Sequence, residues 1–308
     1  MTRIGRTLAV LGLVGVAAVG RLAAQAPGPD RTINIPEHIG NSHELELPFV
    51  GAVELPRIPP LHLGGLTIDF SPTKHLVFML IAATIVALVF LLSARSIAAA
   101  QARGRPAKGF AGAMEATALY VRQEMVLPNV GDHGEAYVPY LLTVFFFILT
   151  MNLLGLLPWG ATATGNISVT AALAVVAFIV IEATGMRSLG ATGYLKTIFY
   201  LPHGLPGGFA GSILKVVLLA VMTPIEIIGK LAKPFALAVR LFANMTSGHV
   251  LVLALIGLTF LFQSYSVGLA SSLLATGVML LELFVAFLQA YVFTLLTAVF
   301  IGLMRAEH

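Results

Sequence analysis

From residue 212 to about residue 262 the sequence is almost continuously apolar, and a second such stretch covers about residues 267–304. At 1.5 Å per residue these would be helices of roughly 75 and 55 Å, while the hydrocarbon slab of a bilayer is only about 30 Å thick. Each stretch is either split into separate spans or is one helix lying steeply tilted. Splitting the first needs a turn between residues 225 and 255, and the only breaker there is Pro234. Proline kinks a membrane helix without ending it, because the freed backbone groups find other partners. The expectation is two long, tilted helices joined near residues 263–268 as an antiparallel hairpin covering 212–304.

Composition agrees. Of 308 residues 58% are hydrophobic and 10% charged, against about 25% charged in soluble domains. The chain therefore reads as an all-α integral membrane protein, with about five membrane-embedded helices and one interfacial amphipathic helix. The formal charge of +4 does not point to nucleic acid, because the basic residues are few and lie beside apolar runs. Anchoring at a membrane face suits them better. With no cysteine, disulfides, thiolate metal sites and cysteine nucleophiles are excluded.

Upstream, residues 1–26 have the three parts of an export signal: Arg3 and Arg6, an apolar run over 7–20, and the small-x-small triplet Ala24-Gln25-Ala26. A short membrane anchor is the alternative. Residues 27–74 carry half of the prolines, which favours an extended, exported segment. His38, His43 and Glu44 lie in it without a helical frame or a third ligand of clear spacing, so they read as solvated loop residues and not as a metal site.

The membrane domain then occupies residues 75–308. Its first span is 75–93, followed by "ARSIAAAQARGRPAK", which has four basic residues and no acid. The positive-inside rule puts that stretch in the cytoplasm and the N-terminus outside. Residues 109–127 mix Glu115, Arg122 and Glu124 with apolar positions at helical spacing, as in an interfacial helix. A second span over 137–157 and a third over 168–186 enclose an uncharged external loop, and Arg187 and Lys196 follow on the cytoplasmic side. Asn152 and Glu182 are polar groups within or near these spans; helix–helix hydrogen bonding is one account of Asn152.

Charged groups inside apolar runs are the informative feature, since one at the bilayer centre costs at least about 2.5 kcal/mol. In the hairpin these are Lys215, Glu226, Lys230, Lys233, Arg240, His249 and Glu282. The lysines lie toward the cytoplasmic end and read as snorkelling side chains. Glu226, Lys233 and Arg240 drift only about 20° per seven residues and share a helix face, joined by Asn244. Ala236, Ala243 and Ser247 flank it, small enough for another helix to pack closely. His249 is half a turn away and looks elsewhere. With a turn near residue 265, Arg240 stands at the depth of Gln289, and His249 at the depth of Glu282. An imidazole and a desolvated carboxylate suit a proton relay, or else a hydrogen-bonded structural pair. Arg240 keeps its charge and cannot relay protons. Its useful role is a fixed positive charge that keeps a passing carboxylate ionised and blocks a continuous leak.

The segments "PIEIIGKLAKPFALAVRLFANMTSGH", "LELFVAFLQAYVFTLLTAVFIG", "MNLLGLLP" and "GNISVTAALA" closely resemble subunit a of F-type ATP synthases, over most of residues 70–304. The resemblance implies a non-catalytic, proton-translocating stator subunit in a bacterial inner membrane, N-terminus outside and C-terminus cytoplasmic. It needs no cofactor. Its implied partners are a rotating ring of c subunits, b-type peripheral-stalk subunits, the remaining synthase subunits and lipid. It implies the essential arginine at Arg240 with Asn244 and Gln289 beside it, His249 and Glu282 in the outer half-channel, and Glu226 near the cytoplasmic one. Some bacterial members exchange the acid and the histidine, and others carry aspartate where this chain has Gly155. The sequence holds no nucleotide-binding glycine loop, so ATP chemistry would belong to other subunits. A secondary transporter would instead favour an internal repeat or a second broken helix, and neither is evident.

Overall fold

A backbone surrounded by lipid must satisfy its own hydrogen bonds, and in a single chain segment only a helix does so. The computed structural model follows that rule. It describes residues 44–47, 51–59, 61–63, 66–68, 71–131, 134–157, 162–199 and 209–306. The signal-like residues 1–26, His38 and His43 lie outside the described residues.

Two small antiparallel hairpins come first. In one, β1 (Glu44–Leu47) pairs with β2 (Gly51–Glu54). In the other, β3 (Leu61–Leu63) pairs with β4 (Leu66–Ile68). The helices are α1 (Lys74–Gln101), α2 (Gly109–Tyr120), the four-residue α3 (Leu127–Val130), α4 (Val138–Gly155), α5 (Ile167–Ile198), α6 (Phe209–Phe262) and α7 (Tyr265–Ala306). A π-helical turn, Val121–Val126, joins α2 to α3, and a 3₁₀ turn, Gly134–Tyr137, leads into α4. Five of these segments are long and apolar enough to cross a membrane.

The long hairpin expected from the sequence is present. α6 runs 54 residues without a break although Pro224 and Pro234 lie inside it. Its connection to α7 is tighter than expected, only Gln263 and Ser264, with Gln263 at φ 46° and the Gly268 N–H donating to the Ser264 carbonyl at 2.8 Å. α1 continues past residue 93 through the alanine-rich "SARSIAAAQ", because alanine favours helix even where lipid no longer demands it. In the 109–127 segment Val121, Met125 and Val126 are buried while Gln123 and Glu124 are exposed, as an interfacial helix requires.

The chain divides into two compact units. One holds the described residues up to Leu91, together with 146–166 and 241–290; the other holds 92–145, 167–240 and 291–306. In the first unit Phe78, Ala82, Ile148, Met151, Leu241 and Met245 are buried, and the Phe90 and Phe146 rings meet edge to face at 5.1 Å. Ala275 and Ala286 are fully buried, small residues that let helices approach closely.

In the second unit Val121, Met125, Leu141, Ala177, Leu237 and Ile301 are buried. Here the C-terminal part of α7 comes so close to α3 that a Cβ at Gly302 would overlap the Asn129 carbonyl oxygen and lie 2.9 Å from its carbon. α5 is not straight. Gly190 takes φ 69° and ψ 167°, a backbone open to glycine and costly for other residues, and this breaks the helix in two. Arg122 and Glu135 form an exposed ion pair in the same unit.

Candidate functional site

α6 is polar on one side and packed on another. Leu237, Ala238, Leu241 and Met245 are buried, and their 3–4-residue spacing marks one stripe. Arg240, Asn244, Ala236, Ala243 and Ser247 are all exposed. Among the described residues, Arg240 and Asn244, which sequence spacing assigns to one face, are thus exposed, with small exposed side chains on their flanks. Glu226 is half-buried. Arg240 and Glu226 belong to the second unit; Asn244, His249, Glu282 and Gln289 belong to the first.

Within the first unit the structure brings Glu282 of α7 onto the Gly248–His249 turn of α6. A Cβ built on Gly248 would overlap the Glu282 Oε1 and lie 2.7 Å from its carboxyl carbon and 2.8 Å from its Cγ. Glycine is what gives the carboxylate its seat. His249 and Glu282 are both half-buried, and the match in depth expected across the hairpin is met by this contact one residue from His249. Gly248 itself was not among the residues singled out from the sequence. Its signal was there: an isolated glycine inside an otherwise helical pattern, which costs about 1 kcal/mol against alanine and so calls for a packing or functional reason.

Gln289 is buried, 3% exposed. One turn before it on α7, the carbonyl of Ala286 accepts a hydrogen bond from Asn152 Nδ2 at 3.3 Å. Asn152 is fully buried, and its Oδ1 accepts from Thr164 Oγ1 at 2.8 Å. Both ends of the amide are thus engaged, and α4, the 162–165 turn and α7 are tied at one point. Of the accounts of Asn152 the structure bears out helix–helix hydrogen bonding. Ala286 lies between Glu282 and Gln289, so this tie holds the segment that carries both. Gly155, one turn after Asn152, closes the same corner: its Cβ would fall 2.5 Å from Thr162 Oγ1.

The lysines behave unlike one another. Lys215 is exposed, and the Lys233 ammonium lies over the Phe300 ring at 5.1 Å. Lys230 does not snorkel; it is buried at 7% exposure with its Nζ 3.7 Å from Glu182. Among the described residues no group of three or more His, Cys, Asp or Glu side chains is placed to hold a metal.

Five helices long and apolar enough to cross a membrane, the last two joined by a tight turn and carrying ionisable groups, define a polytopic membrane protein. Comparison with known proteins narrows this. Residues 76–302 match the family model described as ATP synthase A chain. Curated relatives include the ATP synthase subunit a of Myxococcus xanthus (strain DK1622), 46% identical over 81% of this chain and 77% of the relative. The ATP synthase subunit a 2 of Chlorobium luteolum is 43% identical over 89% and 76% of the two chains. That of Chloroherpeton thalassium, an ATP synthase subunit a, is 42% identical over 88% and 76%. The chain belongs to the ATP synthase A chain family.

Proposed function

We propose that this chain is the proton-translocating stator subunit of an F-type ATP synthase, lying in a bacterial inner membrane with its N-terminus outside and its C-terminus in the cytoplasm. It offers two offset half-channels to a rotating ring of c subunits, is held by b-type peripheral-stalk subunits, and catalyses no covalent chemistry itself. A proton from outside passes His249 and Glu282 and neutralises a carboxylate on the ring, which then carries it through nearly a full turn. On meeting Arg240, the carboxylate faces a charge that cannot be discharged, and an opposite charge within a few ångströms favours its ionised form. The proton leaves toward the cytoplasm past Glu226, while Asn244 and Gln289 support the arginine. ATP is made on other subunits.

The observation that carries this reading is the combination on α6: a carboxylate seated at Gly248–His249, and an exposed arginine face flanked by small residues. In inverted membrane vesicles Arg240→Ala is expected to abolish proton-driven ATP synthesis while the complex still assembles. Full synthesis by that variant would overturn the proposal. Copurification of a ring of small hairpin proteins is the second expected result; recovery of this chain only as a lone dimer would count against it.

A further inference from the structure

Among residues 212–236 of α6, Lys230 is the only one that is buried. A lysine is an odd choice for the sole buried residue of a twenty-five-residue stretch, and its surroundings account for the choice. Its Nζ lies 3.7 Å from Glu182 Oε2, donates to Thr197 Oγ1 at 3.2 Å and sits 4.4 Å from the centre of the Tyr194 ring. Tyr194 O–H donates to the same Glu182 oxygen. Glu182 is itself 9% exposed. The ammonium has a counter-ion, a hydroxyl acceptor and an aromatic face, as a buried cation requires.

The cluster exists because α5 breaks. Residues 182 and 194 would stand about 18 Å apart along a straight helix. The positive φ at Gly190 turns residues 191–198 back on the preceding segment, and a Cβ at Gly185 would lie 3.5 Å from Tyr194 Cδ2. The returning segment thereby delivers Tyr194 and Thr197 to Glu182, and the three form the socket for Lys230.

Lys230 also marks the weak point of α6. The residue four positions on is Pro234, which has no N–H, so the Lys230 carbonyl loses its helical donor. Pro224 lies less than two turns before it. A helix that lacks a hydrogen bond at such a point bends more readily there, and the socket grips the residue whose carbonyl is left without that bond.

We infer that Lys230, held by Glu182, Tyr194 and Thr197, is a positioning residue that pins α6 at its proline joint and sets the direction of the segment carrying Glu226. The ion pair does not carry the proton; it holds the helix whose polar face meets the path. The functional half of this inference rests on the proposed proton translocation, whereas the pin itself does not.

The test uses the intact complex in membranes, and the absence of cysteine from the chain allows two to be introduced for spin labels. Leu195, 51% exposed, and Ile228, 65% exposed, lie on the two segments that the socket joins. The native chain is expected to give a narrow 195–228 distance distribution. Lys230→Met and Glu182→Gln should broaden it, and should lower ATP synthesis per assembled complex at least tenfold and threefold respectively. The exchange Glu182→Lys with Lys230→Glu should restore the narrow distribution and at least half of the synthesis. If Lys230→Met fails to accumulate, the paired variant Glu182→Gln/Lys230→Met leaves no unpaired buried charge and is read the same way. An unchanged width in these variants overturns the pin. A broadened distribution with full synthesis overturns its positioning role, provided Arg240→Ala abolishes synthesis. If Arg240→Ala is also without effect, the proton-translocation reading fails and the pin stands on the distance measurement.

Discussion

Gly248 and Glu282 lie in direct contact across the long hairpin, with the carboxyl carbon 2.7 Å from where a Cβ on residue 248 would be. The glutamate occupies the space that any other residue would need. Inserting even one methyl into such a contact costs about 1–3 kcal/mol, or moves the neighbour. Gly248→Ala is therefore expected to lower proton pumping in inverted vesicles at least tenfold by displacing Glu282. Adding Glu282→Asp, one methylene shorter, should recover part of it. Normal pumping by Gly248→Ala alone would mean that the carboxylate's position does not matter.

Arg240 should tolerate no cation of different shape. Lysine carries the same charge as a compact ammonium that loses its proton more readily when desolvated. Arg240→Lys is expected to retain less than about a tenth of native ATP synthesis, with normal amounts of assembled complex on immunoblots. Near-native synthesis would reduce the residue's role to charge alone.

The exposed small residues give the opposite contrast between stability and function. Ala243 is exposed among the described residues, so Ala243→Phe should leave the thermal stability of the isolated subunit within about 0.5 kcal/mol, as for other surface changes. In the assembled synthase it should abolish coupling, because a bulky ring would hold a neighbouring helix away. A subunit that unfolds on its own with this change would show the face to be internal.

Asn152 predicts a structural phenotype. Removing its amide leaves the buried Thr164 hydroxyl without its acceptor, at about 1–3 kcal/mol, and takes the side-chain donor from the Ala286 carbonyl. Asn152→Leu should reduce the amount of subunit in membranes severalfold. The activity of each complex that does assemble should change less than that amount. Normal accumulation with lost activity would place Asn152 in the ion path instead.

Much of this architecture is legible in the sequence, because lipid leaves so few choices. Apolar length gives the helices. The seven-residue spacing from Glu226 through Lys233 to Arg240 points to a polar face, and counting back from the turn puts Glu282 at the depth of His249. The parts that escape the sequence depend on where backbones approach or change direction. Gly190 looks like one more small residue in a membrane helix, and nothing in the order of residues announces that Tyr194 returns to Glu182. Without that return Lys230 has no visible counter-ion, so its burial cannot be inferred from hydropathy. The seat at Gly248 likewise depends on a side chain thirty-four positions away.

The Gly190 break also has a consequence in time. A chain is made from its N-terminus, and elements made first are free to associate first. Glu182, Tyr194 and Thr197 all precede Lys230, so the socket is waiting when the lysine emerges. Gly248 and Asn129, in contrast, must await Glu282 and Gly302 on the last helix. The α5–α6 corner can thus close before α7 has been synthesised, leaving the final helix to settle against a joint that is already fixed.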